Sequence, residues 1–564
     1  MSSIHLDPIT LEILWRRLNA TVDELAATLV RTSFSTVIRD VNDYACAIFD
    51  LEARLLAQSL DSTPGLCGPL GHMLKHLLDW HPVDTLLDGD VLIGNDPWQG
   101  SGHHNDITIA TPAFHNGKLI GFAVTCAHHA DIGGRRATTE SRDNYEEGLR
   151  IPPSRLYEAG KSNDTVFNFI RHNVRMAETV VGDLRAQLAA NHIGCERLRQ
   201  ICIENDWADI QPLADQVVER SEAVTRAEIR KIPEGIYRHE AAVDVIDGKD
   251  VVIKVAVHVK DGSIVIDYSG TSAQVRPAVN CTLTFTASYT NFALMCLLAL
   301  PVPVNAGTLR PITLKADPGS VLNANFPAPV FARTSTGNYL PEIIYAALAK
   351  AVPDRVLAGG SAPLWAQYMY GRFKDGREFA TLNCANGGVG ARQGHDGIST
   401  LAFPFNIANT PVEVLESEVP VLCTEKKLWV DSAGPGEFRG GLGQVFALKI
   451  LEGDIGPDGD VLIGFRGGRF VHKVPGLLQG RPAPNGELLI NGESTTEGKQ
   501  VALPPGGTIL LRIPGGGGMG DPMRRDRNLV KRDLQDGLIT ASHAKQYYGY
   551  EDKPVKDPVS EPAA

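Results

Sequence analysis

At 564 residues the chain is far longer than one hydrophobic core requires, and 43% apolar with 21% charged residues is the balance of a globular protein, not a disordered one. A formal charge of −12, with no basic stripe interleaved with aromatics, excludes nucleic acid as the main partner. No apolar run reaches the roughly 18 residues of a membrane span, and the nearest, NFALMCLLALPVPV at 291–304, is broken by prolines and reads as a buried core element.

Asp7-Pro8 opens the first predicted helix, a side-chain cap followed by proline in the first turn. Leu11, Leu14, Leu18, Val22, Leu25 and Leu29 then follow at spacings of three and four, which define one helical face. YACAIFD (44–50) and VLIGNDP (91–97) read as short buried strands ending in turn residues. ITIATPAF and LIGFAVTC are β-rich runs joined by HNGK (115–118), and Asn-Gly is among the strongest short hairpin signals. Amphipathic helices are expected near 177–203 and 212–231. After IPEG (232–235), three alternating strands separated by GKD and KDG turns predict an antiparallel meander. The stretch 301–420 mixes strands with one helix near 340–351. Region 420–515 is Gly-rich with short β runs, and PGGGGMGDP (514–522) precedes a last helix at 526–536. The expected fold class is α+β and multidomain: an N-terminal α/β metal-site domain, then mainly antiparallel β regions with a few helices. The expected divisions are 1–235, 236–420 and 421–550, with a polar tail at 551–564. The N-terminus lacks a basic segment followed by an apolar stretch, and the nine cysteines form no CxxC pair. Buried free thiols and a cytoplasmic location are therefore expected.

The hairpin raises a question of chemistry, because SGHHND (101–106) and CAHHAD (126–131) bracket it with two His-His pairs, each close to an Asp. With Asn116 and Gly117 as the loop residues, Asp106 falls opposite residue 127, and His128 is its immediate neighbour. Opposed Cβ atoms lie ~5 Å apart and diagonal ones ~7 Å, within reach of one ion. Strict alternation would put 106 and 128 on opposite faces. Pro112 interrupts one strand, however, and a one-residue bulge there restores a common face. His103 precedes the strand in a loop freed by Gly100 and Gly102, so strand parity does not bind it. His103, Asp106 and His128 thus make an N/O ligand set that leaves coordination positions open, as a catalytic Zn, Mn or Fe site does. Such an ion lowers the pKa of water towards ~7. His129 and Asp131 fall into supporting or proton-transfer roles, and Glu147, in the loop EGLRIPPSRL, is a further candidate for proton transfer. A metal-free His/Asp acid–base pair, or histidines bonded to core carbonyls, remain open as alternatives.

Other motifs carry less. DYSGT (267–271) has the look of an ATPase phosphate loop but closes a meander with no second phosphate loop. GESTTEGKQ (492–500) has Gln500 where a P-loop needs Ser or Thr. GGLGQ and PGGGG read as turns. There is no G-x-S-x-G, and Ser33, Ser59 and Ser101 have no distinguishing context.

DPITLEILWRRLNATVDELAATLVRTSFS, DYACAIFD, NDPWQGSGHHNDIT, AHHADIGG, GLRIPPSRL and GDLRAQLAANHIGCERL, in that order, resemble the hydantoinase B family, as do NAGTLRPI, PGSVLNANFPAPV, NTPVEVLESEVPV, DSAGPGEFRGGLGQV and PGGGGMGDPMRRD. The resemblance runs from about residue 7 to 550. It implies the B subunit of a two-component enzyme such as an ATP-dependent N-methylhydantoinase, caprolactamase or 5-oxoprolinase. A companion hydantoinase A-like ATPase subunit would phosphorylate the oxygen of a lactam or hydantoin, and this subunit would complete hydrolysis at a divalent metal. It also implies a hetero-oligomer such as α2β2, with ATP consumed at the partner. The family's ligand pattern falls on His103, Asp106 and His128, with Asp43 as a further ligand. Ala45 stands where many relatives carry Ser, and His104-Asn105 where many carry Leu-Pro. Two rival expectations are a subunit of an ATP-dependent ketone carboxylase of the acetone or acetophenone type, and a non-catalytic scaffold for the ATPase.

Overall fold

The structure, a computed structural model, describes residues 5–136, 139–246, 248–455, 459–495 and 500–551. Of the sequence features above, nearly all of the polar tail and Thr496–Lys499 of GESTTEGKQ lie outside the described residues.

The first helix, Pro8–Thr32, starts where Asp7 accepts from the backbone N–H groups of Ile9 and Thr10 at 3.0 and 3.1 Å. Its predicted apolar stripe is buried from Leu11 to Leu29. Each fully buried leucine contributes ~1.5–3 kcal/mol of transfer free energy, so this seam is a principal anchor of the N-terminal unit. It packs on the long helix Ala177–Asn205, which lies against the strands Asp106–His115 and Lys118–His128. Those strands are the middle of a seven-stranded sheet, in the order 55–58, 44–49, 118–128, 106–115, 91–94, 154–158, 161–162. Every pairing in it is antiparallel. The helix Leu70–Trp80 covers the other face through Met73, Leu74 and Leu77. Both faces are thus covered, and the central strands are buried almost without alternation.

The meander is as expected: Gly235–Ile246, Lys249–Lys260 and Ser263–Asp267 pair antiparallel, with Ile312–Lys315 added in parallel at the edge. The 291–304 segment is partly the end of the helix Leu283–Leu298, which with Leu340–Leu348 fills the core under this sheet. Among the described residues no helix is long and apolar enough to cross a membrane. All nine cysteines are free, and seven are buried.

Two further antiparallel sheets face each other over a core that includes Trp365, Met369, Phe446, Ile463 and Leu511. Strand Trp365–Arg372 pairs with Val461–Arg466, so this pairing spans residue 420. The Gly-rich stretches serve close backbone packing. Gly516 N–H donates to Gly441 O at 2.9 Å and Gly517 N–H to Gly359 O at 2.8 Å. A Cβ on Gly516 would stand 2.1 Å from Val389 O, so no side chain fits. PGGGG is therefore a structural layer, and the last helices, Arg527–Gln535 and Ala541–Tyr548, follow it.

Candidate metal centre

Asn116 and Gly117 both take positive φ, 50° and 74°, as the turn chemistry requires. The hairpin starts in the expected register, with His115 opposite Lys118 and Phe114 opposite Leu119. Between Ala113 and Phe114 the register shifts, leaving Ile120 of the return strand as the extra residue. The bulge lies one position past Pro112, and its effect is the expected one. Asp106 faces His128 directly.

The three side chains converge in the interior. His103 Nε2 lies 2.7 Å from Asp106 Oδ1, His128 Nδ1 lies 2.9 Å from the same oxygen, and the two ring nitrogens are 3.1 Å apart. None of the three side chains is more than 3% exposed. Asp43 stands just before strand Tyr44–Phe49, its carbonyl accepting from His128 N–H at 3.0 Å and its carboxylate 3.9 Å from His128 Nδ1. The other oxygen of Asp106 accepts from Ser101 Oγ at 2.5 Å and from Arg333 Nη2 at 2.8 Å. Arg333 also holds the Ser101 carbonyl through Nε at 2.6 Å.

Electrostatics prepare these groups as ligands. Burial, helped by Arg333, holds the His103 imidazole well below its usual pKa, so it stays neutral with a free lone pair. Burial alone would raise the Asp106 carboxyl, but His103 and Arg333 outweigh it and keep the group well below the carboxylate range. At Asp43 burial wins over His128, and the carboxyl is pushed up. Two imidazole nitrogens and one carboxylate oxygen within 4.8 Å of one another can hold a metal ion. For ligands ~2.1 Å from an ion, adjacent donors lie ~3.0 Å apart in an octahedron and ~3.4 Å apart in a tetrahedron. The observed separations of 2.7–3.1 Å need only small adjustment. His103 Nδ1 is buried without a hydrogen-bond partner.

The two His-His pairs divide their work. His103 and His128 enter the cluster, while their neighbours bond elsewhere. His104 Nε2 is 3.3 Å from the Asn144 carbonyl, with its pKa lowered by burial to about 4. His129 Nε2 bonds Gln187 Oε1 of the long helix at 3.1 Å. Asp131 is engaged by Arg175 at 2.6 Å and by the N–H of Gly133, ahead of the helix Ala177–Asn205. Glu147 accepts from the N–H groups of Val330 and Phe331 at 2.8 and 2.9 Å, and from Asn144 Nδ2 at 3.0 Å. Burial raises its pKa to about 7. None of His129, Asp131 and Glu147 lines the cavity at the cluster, and their side chains are occupied in holding its supports. The structure does not bring them together with the ligand set.

That cavity is small, about 30 Å³, and its walls include Asp43, His103, His128, Tyr289, Tyr368 and Arg466. Phe331 stacks 5.6 Å from His103. Ser101, Arg333, Tyr368 and Arg466 were not singled out by the sequence. Ser101 had only its nearness to His103 as a signal, and the other three come from more than 200 residues away.

Comparison with known proteins bears on the whole chain. The family model described as hydantoinase B/oxoprolinase matches residues 7–522. The B subunit of a putative D-/L-hydantoinase of Pseudomonas sp. (strain NS671) is 32% identical, with 97% of each chain covered. The crystal structure of the ATP-dependent caprolactamase from Pseudomonas jessenii superposes with a TM-score of 0.87 at 27% identity, covering 97% of both chains. A nucleotide-free acetone carboxylase shares the fold, with a TM-score of 0.86 at 19% identity over 98% of this chain and 80% of that one.

Proposed function

This chain belongs to the hydantoinase B/oxoprolinase family, and on that footing we propose that it is the metal-bearing B subunit of a two-component, ATP-dependent cyclic amidase acting on a hydantoin or lactam ring. One observation carries the reading: the hairpin register seats His103, Asp106 and His128 as a buried N/O ligand set. The end-to-end likeness to a hydantoinase component and to a caprolactamase supports it.

His103, Asp106 and His128 would hold a Zn, Mn or Fe ion, with Asp43 as a fourth ligand beside His128. A divalent ion there would supply Lewis acidity and a nucleophile at neutral pH. The chain's own residues orient and insulate. Ser101 and Arg333 fix the second oxygen of Asp106, so its first oxygen is aimed at the two imidazoles. Phe331 and Tyr368 close the apolar side and limit bulk water. His129, Asp131 and Glu147 hold the sheet end, the helix entrance and the 330–331 segment in place. We assign them these positioning roles in preference to proton transfer.

An unactivated ring amide resists water. In the proposed sequence an ATPase partner moves the γ-phosphoryl of ATP to the amide oxygen and releases ADP. Water then adds to the carbon, the ring C–N bond breaks with a proton going to nitrogen, and a second water releases phosphate to leave the ring-opened acid. The partner is a hydantoinase A-like subunit, in a hetero-oligomer such as α2β2.

The test is ATP turnover by the reconstituted pair with hydantoins, caprolactam, 5-oxoproline and ketones, each with and without bicarbonate. A cyclic amide should stimulate ATP hydrolysis with matching release of ring-opened acid. Turnover only with a ketone and bicarbonate would point to carboxylation instead. Full product formation by Asp43→Asn and His128→Ala variants would reduce the chain to a scaffold.

A further inference from the structure

Five arginines are buried, and four of them have a carboxylate partner. Arg333 binds Asp106 at 2.8 Å, Arg469 binds Glu342 at 2.5 Å, and Arg439 and Arg525 share Asp533 at 3.2 and 2.8 Å. Arg466 is the exception. It is 5% exposed, its guanidinium is held between the rings of Phe331 and Tyr368 at 4.7 and 4.6 Å, and Nη1 donates to Thr334 Oγ1 at 3.1 Å. Its Nε is buried with no hydrogen-bond partner, and among the described residues it has no ion pair. A buried charge without a bonded counter-ion is costly unless something arrives to bind it.

Its place says what arrives. Arg466 lines the small cavity at the ligand cluster and also a wide cleft of about 1110 Å³. It therefore forms the wall between the two. At the cleft's rim stand Arg142 and Arg276, both exposed and without an ion pair among the described residues, with Ser335 deeper in. Among the described residues, Glu140 and Asp244 are the acidic ones lining the same cleft. Around the cluster stand two carboxylates, Asp43 and Asp106, and two guanidiniums, Arg333 and Arg466. A divalent cation would add two positive charges. A dianion from the cleft would cancel them.

We propose that Arg466 anchors an oxyanion subsite that takes the phosphoryl group of an activated reactant from the cleft and holds it beside the metal centre. This rests on the functional reading above, in which the reactant arrives phosphorylated, and assigns the residue that receives its phosphoryl group. A guanidinium presents a planar fork of N–H donors suited to phosphoryl oxygens, and the two flanking rings fix its plane in advance. Arg142 and Arg276 add long-range attraction at the rim.

The test titrates inorganic phosphate by calorimetry into the full chain, loaded with zinc and again after zinc removal with EDTA, with acetate in parallel. Saturable phosphate binding is expected, tighter with zinc in place, with acetate at least tenfold weaker. Arg466→Lys should weaken phosphate about tenfold. The exposed double variant Arg142→Ser/Arg276→Ser, which leaves the core intact, should weaken it about threefold and flatten its salt dependence. Binding that is absent from the wild type, equal for acetate, or indifferent to both variants overturns the proposal. Metal content of Arg466→Lys should equal that of the wild type. Loss of ring opening with phosphate binding intact would count against the functional reading and not against this subsite.

Discussion

Asp106 is the residue on which the centre turns, since one oxygen faces both imidazoles and the other is pinned by Ser101 and Arg333. Removing a group that orients a ligand typically costs 10–100-fold in metal affinity. Ser101→Ala should therefore weaken metal binding by about tenfold, read by competition with a chromogenic chelator, with little change in fold. Glu147 offers a test by pH. Its folded pKa of about 7 lies above the ordinary value of 4.5, so the folded chain binds the proton more tightly. The stabilisation is full below pH ~4.5 and is lost as pH rises to about 7. The difference amounts to ~3 kcal/mol at most, from 1.36 kcal/mol per pKa unit. Urea midpoints should fall from pH 4.5 to 7 in the native chain, and Glu147→Gln should remove that part of the fall.

At the scale of elements, leaving Ile120 unpaired is what sets Asp106 opposite His128. Deleting Ile120 should close the bulge and keep that pairing, because Ala113 already faces Gly121 beyond it. Metal content of the deletion variant should match that of the native chain, with far-UV circular dichroism reporting a folded chain. Loss of the metal would show that the bulge does more than carry the register. The hairpin was legible because its signals are local: Asn-Gly fixes the turn and the turn fixes the count, whereas the slip expected at Pro112 falls on the return strand, at Ile120, with Pro112 itself paired to Phe122. The long helices were legible for the same reason, their apolar stripes being periodic within one segment. Supports such as His129 on Gln187 or Asp131 on Arg175 were not. They depend on where a helix distant in sequence comes to rest, and no periodicity encodes that.

Across the whole molecule the ligands come from one N-terminal sheet, but the walls come from elsewhere. Arg333 reaches Asp106 across 227 positions, and Tyr368 and Arg466 belong to a sheet pairing that spans residue 420. Nothing near these residues in sequence marks them as neighbours of a histidine cluster. They become so only when the sheets dock. The Gly-rich segments illustrate the same limit, because their composition reads as turns while their packing makes a backbone layer. The measurement that tests the account most directly is the metal content of exhaustively dialysed full-length protein, loaded beforehand with Zn, Mn or Fe, beside His103→Ala, Asp106→Asn and His128→Ala. The account predicts a near-stoichiometric ion in the native chain and its loss in each variant. An ion that survives in all three, or a native chain that retains none of these metals, would contradict it.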